Sequence, residues 1–581
     1  MLSNAAIAGV LASLYLTILF LHLNPSFPLS IGAVVQLALV LLVTYGVNVT
    51  ALSYALIVGR QMMASEQLSP GWLSVRLLSW LCTIAAGVCA VVMWLNLRAF
   101  TMVLDPQTVT RMTAGAVTLS ASTVVFLLIA LAHLGRRGGN VSAVLLTAMM
   151  AISVAAPLAA RGTGRVSMLA SRPTTAVVGL EPARTDARVL VVALDGGSLD
   201  IISPAVAEGR LPNLGRIFDA GAVLHLATLR PTQAEPVWSA AMTGRVPFAN
   251  GIRASTLYRV SDAGPPIELL PDYCFAFALV RFGFLDAKSH DARALQSRPL
   301  WTILSDVGVS VGFIGWPLTH PAASVNGFIV TDEFHRIAEV AVDPATASAI
   351  APASLYNAIH EALQRPPTVD PIAVVSKAAE APLGDADARP DPSPIVADRM
   401  HVQILSALNA SMPPQVLAVR LPGLDAVGHY FLRYANPSEF GDVSSDEQRQ
   451  YGRVLGDYYG FIDGVVGQAL QSMGKNDVLL VVSGFGMEPL TPGKRMLERL
   501  VGNDRLSGSH ERSPDGFLLA YGTAVAPGRP PRASILDLTP TILYYLGLPV
   551  GRDMDGFART DLFKPEFTAD QPITFIPSYG R

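Results

Sequence analysis

The chain has 581 residues, 51% of them hydrophobic and 15% charged, with a formal net charge of −3. That length allows roughly two to four domains with ample core, while the near-neutral charge and the lack of a basic, aromatic-interleaved stripe argue against a nucleic-acid partner. The three cysteines, Cys82, Cys89 and Cys274, offer neither a disulfide framework nor a thiolate zinc site.

The first part of the chain is almost free of acidic residues and carries five apolar segments, at about 5–23, 31–58, 77–97, 114–134 and 141–160. Each is long enough to cross a bilayer, for which roughly 20 apolar residues suffice. The first lacks a basic flank and four more follow, so a cleaved leader is not expected. The second is overlong, which implies tilt or an interfacial end. Arg60, Arg76, Arg98, Arg111, Arg136, Arg137, Arg161, Arg165 and Arg172 flank these segments. They divide almost evenly between the two sides of the membrane, so charge bias leaves orientation open. Residues 1–160 therefore read as a transmembrane module, and the Pro-, Thr- and small-residue-rich stretch 161–187 as a linker.

A folded domain over 188–565 follows, with a short tail at 566–581. Three Val- and Leu-rich runs without polar alternation, 189–194, 416–421 and 478–482, predict strands buried on both faces. Helical patterns at 211–220, 397–409 and 451–473 lie between them, so the fold class is α/β, a mixed sheet with helices on both faces. Ligands in such sheets bind beyond the carboxyl ends of the strands. Asp195 follows the first strand, Asp425 and His429 follow the second, and His510 lies in a polar loop before a later apolar run. Two carboxylates and two imidazoles form a donor set suited to zinc or a similar divalent ion. Taken singly, each has a plainer reading as a turn, cap or surface residue. The run "SGFGMEP" after the third strand is expected to form a glycine turn with no chemistry on it.

Several stretches in order carry a family resemblance: "VVALDGGSLDII", "PTQAEPVWSAAMTGRVPFANGI", "LDAVGHYF", "SGSHERSPDGFLLAYG" and "SILDLTPTILYYLGLPVGRDMDG". The chain resembles the alkaline phosphatase superfamily, in particular its type I phosphodiesterase and nucleotide pyrophosphatase branch. The resemblance implies an alkaline phosphatase-like α/β sandwich with two metals, usually zinc, at its strand ends. Asp425, His429 and His510 match the ligands of one metal, and Asp195 matches one ligand of the other. The remaining second-metal positions depart from the pattern, with Gly484 and Phe485 where an Asp and a His are expected. Ala234 stands at the nucleophile position with Thr232 two residues before it, and Asn250 replaces a His.

These departures leave three readings. One is an atypical hydrolase of a phosphate or sulfate ester, holding one zinc or manganese ion and using water or Thr232 as nucleophile. Another is a degenerate pseudoenzyme that binds an anionic ligand or a partner. A third is a transferase acting on envelope lipid or glycan head groups, suggested by five spans where one would anchor the domain. Glu235 and Glu488 are candidate substitute ligands or bases, with capping or solvent-facing roles as the alternative. His320 and Asn250 are candidate substrate contacts, and Asp463 is expected on the surface. Residues 335–395 read as an insertion capping the site. Family members mostly act outside the cytoplasm, so the resemblance implies an extracytoplasmic domain.

Overall fold

The computed structural model describes residues 1–63, 73–133, 140–163, 180, 184–340, 348–367, 369–379, 392–500, 503, 505–510 and 514–580. Most of the 161–187 linker, four of the flanking arginines (Arg136, Arg137, Arg165 and Arg172) and the 380–391 part of the expected cap lie outside the described residues. The chain divides into two compact units, the first comprising Met1–Ala170 with Arg253–Ser289 and the second Ser171–Ile252 with His290–Arg581.

The first unit is built on five helices long and apolar enough to cross a membrane: α1 (Leu2–Leu23), α2 (Ile31–Met63), α3 (Val75–Phe100), α4 (Pro106–Ala132) and α5, counted from Ser142 to Arg161. Helix α2 carries a π turn at Leu42–Gly46. Asp105 caps α4 by accepting the Thr108 N–H, with Pro106 at the first helical position, where its missing donor costs nothing. Arg161, at the end of α5, is buried and donates to the carbonyls of Leu21, Asn24, Pro25 and Phe27, which close the end of α1. The unit also contains residues 253–289, which the sequence reading assigned to the folded domain. An antiparallel ribbon, Thr256–Arg259 against Asp286–Ser289, closes that insertion at its base. Ile267, Leu269, Ala276, Leu279 and Leu285 bury in the same apolar cluster as the helices.

The second unit is organised around a nine-stranded sheet. Its strands are β1 (Val189–Leu194), β2 (Ala222–Ala227), β3 (Val311–Trp316), β4 (Gly327–Thr331), β5 (Ile350–Ala351), β6 (Val416–Leu421), β7 (Val478–Phe485), β8 (Asp515–Gly522) and β9 (Ala533–Ser534), in the order β9-β2-β8-β7-β1-β6-β3-β4-β5. The central strands β7, β1, β6, β3 and β4 are parallel, and β8 runs antiparallel between β7 and β2. Every residue of β1 is buried, which is why the three runs lack alternation. One face packs on α6 (Pro212–Ala220), α8 (Ser393–Ser411), α9 (Gly423–Ala435) and α10 (Val454–Ser472), and the other on α7 (Ala234–Thr243) and the C-terminal helices. The described pieces of the 335–395 insertion bury Ile359, Val375 and Ile395 in the layer with α8 to α10.

Two expectations are corrected. No glycine turn opens at Ser483: β7 continues through Gly484 to Phe485, because Ser483 and Phe485 still pair with Phe517 and Asp515 of β8. Asp463 is buried rather than on the surface, since its carboxylate accepts the backbone N–H groups of Asn213 and Leu214 and so caps α6 from α10.

Candidate metal centre

The parallel strands end side by side, so the residues that follow them share one edge of the sheet. Helix α9 starts directly after β6 and brings Asp425 and His429, four residues apart, onto one face. Its first turn is held from below. Asp398 on α8 accepts the Gly423 N–H at 3.0 Å and the Tyr458 hydroxyl at 2.7 Å. A Cβ on Gly423 would lie 2.0 Å from that hydroxyl, so only glycine allows the approach. Burial pushes the Asp398 carboxyl up to about 8 despite these bonds.

His429 Nε2 lies 3.4 Å from Asp425 Oδ2, and His510 Nε2 lies 4.0 Å from the same oxygen. The three potential donor atoms all fall within 4.8 Å of one another. His429 Nδ1 faces the Gly508 carbonyl at 2.8 Å and His510 Nδ1 faces the Thr232 carbonyl at 3.1 Å. A carbonyl can only accept, so both Nδ1 atoms carry the hydrogen, and each neutral ring turns an Nε2 lone pair into the cluster. That is the tautomer a metal-ligating histidine needs. Asp425 Oδ1 is buried and has no hydrogen-bond partner. Asp425 Oδ2 facing two imidazole Nε2 atoms, on a carboxylate whose other oxygen is buried without a partner, fits a divalent cation. Burial opposes charge on both Asp425 and His429, yet protonation of the same Nε2 lets His429 donate to Asp425, and that bond and their attraction prevail, so the aspartate lies below and the histidine above its ordinary pKa.

Asp195 is placed differently. Its Oδ1 accepts the Trp238 Nε1–H at 2.7 Å, and both its oxygens bond the Arg420 guanidinium, with Nη2 to Oδ2 at 2.5 Å and Nε to Oδ2 at 3.1 Å. The pair is nearly enclosed, with side-chain exposures of 13% for Arg420 and 3% for Asp195. Arg420 sits on β6 opposite Ala193 of β1, and its charge also acts on Glu235 and Asp332. Burial raises Asp332 to about 6, against the opposing pull of Arg420. The histidine beneath this network, His401, hydrogen-bonds the Arg420 carbonyl through Nδ1 at 2.8 Å, and burial lowers its pKa to about 3. The sequence reading passed over Arg420. Its signal was a lone arginine in the otherwise apolar strand "VLAVRL".

The other candidates fall into place around these two groups. Ala234 starts α7 and Glu235 lies in its first turn. Thr232 is buried, its hydroxyl donates to the Leu229 carbonyl, and its own carbonyl orients His510. Asn250 is fully buried, and its amide ties Arg245 and Ile252 into the loop after α7. His320 follows β3 and is not among the hydrogen-bond or ion-pair partners of Asp425, His429 or His510. Glu488 lies in a two-residue bridge with Ser509. The positions of Gly484 and Phe485 are filled by apolar groups. A Cβ on Gly484 would lie 2.4 Å from Val237 Cγ1, and Phe485 is buried with its ring 5.1 Å from that of His510. Ser483 pins the strand end, accepting the Gly197 N–H at 3.0 Å.

No curated protein matches the chain. Among solved structures, murine ectonucleotide pyrophosphatase / phosphodiesterase 5, an inactive form in complex with AMP, is 13% identical, with 65% of this chain and 100% of that one covered and a TM-score of 0.38. The human ectonucleotide pyrophosphatase / phosphodiesterase 5 gives 14% identity, the same coverage and a TM-score of 0.36. Phosphonoacetate hydrolase from Sinorhizobium meliloti 1021, in complex with phosphonoformate, gives 16% identity over 57% of this chain and 67% of that one, with a TM-score of 0.33. The sequence model of the type I phosphodiesterase / nucleotide pyrophosphatase family matches residues 189–532, which include Asp195, Asp425, His429 and His510. The chain belongs to the type I phosphodiesterase / nucleotide pyrophosphatase family.

Proposed function

We propose that the second unit is a membrane-anchored phosphoric-ester hydrolase that works with one divalent ion, zinc or manganese, held by Asp425, His429 and His510. The observation that carries this reading is the convergence of the His429 and His510 Nε2 atoms on Asp425 Oδ2, with Oδ1 of the same carboxylate unpaired, beside an Asp195 already committed to Arg420. When bound, the ion supplies Lewis acidity toward a phosphoryl oxygen and lowers the pKa of a water. Arg420 supplies a fixed positive charge where the family places its second metal, and a guanidinium suits phosphate or sulfate oxygens. Ala234 has no oxygen to offer, and the Thr232 hydroxyl is turned toward a backbone carbonyl, so water is the favoured nucleophile. Glu235, in the field of Arg420, is a candidate for a base.

The test is metal content and turnover of the full chain in detergent. One ion per chain, hydrolysis of an activated phosphodiester and loss of both in His429→Ala are expected. Two ions per chain, or none, would overturn the one-metal reading. A second reading, an anion-binding pseudoenzyme, is favoured by the same turned-away Thr232 hydroxyl. It predicts phosphate binding without turnover, and a folded chain with no metal would favour it. We read residues 1–160 as the membrane module and the domain as extracytoplasmic. A reporter fused after Arg581 that is active only in the cytoplasm would reverse that orientation.

A further inference from the structure

Residues 271–285, "PDYCFAFALVRFGFL", lie inside the insertion that packs with the helices of the first unit. Two asparagines near the helix ends hold its approach. Asn24, after α1, accepts the N–H groups of Glu268 and Leu269 and donates to the Leu269 carbonyl. Asn96, fully buried near the end of α3, accepts the Asp272 N–H at 2.8 Å and donates to its carbonyl at 2.9 Å. Successive spans alternate in direction, so the end of α1, the start of α2 and the end of α3 lie on one side. The insertion therefore enters from that side.

It then goes deeper. Cys274 and Tyr45 of α2 pack against the apolar cluster that contains Cys89 of α3. At about 1.5 Å per residue, Cys89 lies roughly 16 Å from the end of α3 and Tyr45 roughly 21 Å from the start of α2. Helix α3 has 26 residues, about 39 Å, and a hydrocarbon core is about 30 Å thick, so no more than about 9 Å of the helix can stand outside it. Cys89, in the cluster that Cys274 packs against, is thus at hydrocarbon depth. After Cys274 the short helix Phe277–Arg281 turns the chain back, burying Ala276, Leu279 and Leu285 against the bundle. Phe275, Phe277 and Phe282 point away, with exposures of 64%, 48% and 71%.

Backbone at that depth is tolerated only when its polar groups are satisfied within the protein. Several of them are served by the two asparagines and by local bonds, including Phe282 N–H to Ala278, Phe284 N–H to Leu279 and Leu285 N–H to Leu279. Arg281 is the one charge between Tyr273 and Leu285, and its stem is long enough to return the guanidinium toward the interface. Helix α2 likewise exposes apolar side chains at Leu39 and Val43.

We infer that residues 271–285 form a re-entrant membrane element, seated against the second and third spans, with Phe275, Phe277 and Phe282 in contact with lipid acyl chains. This rests on the reading of the five helices as spans. The test places spin labels, one at a time, at Phe277, Phe282, Val43 and Asp262 in the full chain with Cys82, Cys89 and Cys274 replaced, reconstituted in phosphatidylcholine vesicles. Collisions with oxygen should dominate over those with a water-soluble nickel chelate at 277, 282 and 43, and the reverse should hold at 262. Nickel access at 277 and 282 with oxygen access at 43 would overturn the inference alone, and nickel access at 43 would remove the membrane reading beneath it. Exclusion of both quenchers at 277 and 282 would mean a protein partner and overturn it too. If the cysteine-free chain fails to fold, the native chain in vesicles containing a lipid with a photoreactive acyl chain decides instead. Crosslinks in the peptide 271–285 support the element, and crosslinks confined to the five helices refute it.

Discussion

Replacing Arg420 with leucine should damage the second unit far more than the loss of one surface charge. Asp195 and Arg420 are exposed by only 3% and 13%, so solvent screens little of their attraction. Without the guanidinium, the Asp195 carboxylate keeps only the Trp238 N–H. Removing one partner of a buried pair costs about 3–5 kcal/mol. Asp195→Asn alone should cost less, about 1–3 kcal/mol, because Arg420 still faces Glu235 and Asp332. In the double variant the unpaired carboxylate is gone, so the combined loss should fall short of the sum by about 1–3 kcal/mol. The assay is denaturant unfolding of the full chain in detergent, followed by circular dichroism, with hydrogen exchange at the amides of β1 and β6 to confine the effect to this sheet. Single-variant costs that add without coupling would show that the pair is incidental.

Three further outcomes follow from the geometry. Restoring the family's second-metal residues with Gly484→Asp and Phe485→His should lower stability by about 1–3 kcal/mol through overpacking against Val237, without binding a second ion; two ions per chain at unchanged Tm would refute this. Burial holds Asp398 protonated to about 8, whereas its ordinary value is 3.8. Between those pH values the folded protein binds the extra proton, so stability falls as pH rises. Asp398→Asn should flatten that dependence in unfolding measured at pH 5 and pH 8, and equal slopes would contradict it. Asn96→Leu should strand the Asp272 N–H and carbonyl, at about 1–3 kcal/mol for each group. Faster proteolysis within 253–289 is the expected sign, and an unchanged cleavage pattern would count against the tie.

The layered sheet and the Asp425, His429 and His510 cluster were legible because their signals are local. Strands buried on both faces show unbroken apolar runs, and two ligands four apart on a helix start show their spacing. Arg420 was not legible as a partner, since its meaning depends on β1 and β6 being neighbours, a pairing that joins Ala193 to a residue more than 200 positions away. For Thr232 the residue type suggests a nucleophile, whereas the direction of its hydroxyl is set by the Leu229 carbonyl, which sequence does not show. The placement of 253–289 with the helices was hidden too. Its polar ties are made by Asn24 and Asn96, which look from sequence like ordinary residues at span ends.

The packing of Val237 over Gly484 bears on how this site could change over time. A centre that had merely dropped its ligands would remain a vacancy, and two substitutions could refill it. Here the vacated volume is occupied by the strand's own neighbours, and a guanidinium already sits on Asp195. Building an Asp and a His at 484 and 485 would demand simultaneous change at Val237, Gly484, Phe485 and Arg420, with each single step penalised, so the present packing acts as an epistatic ratchet against that pair.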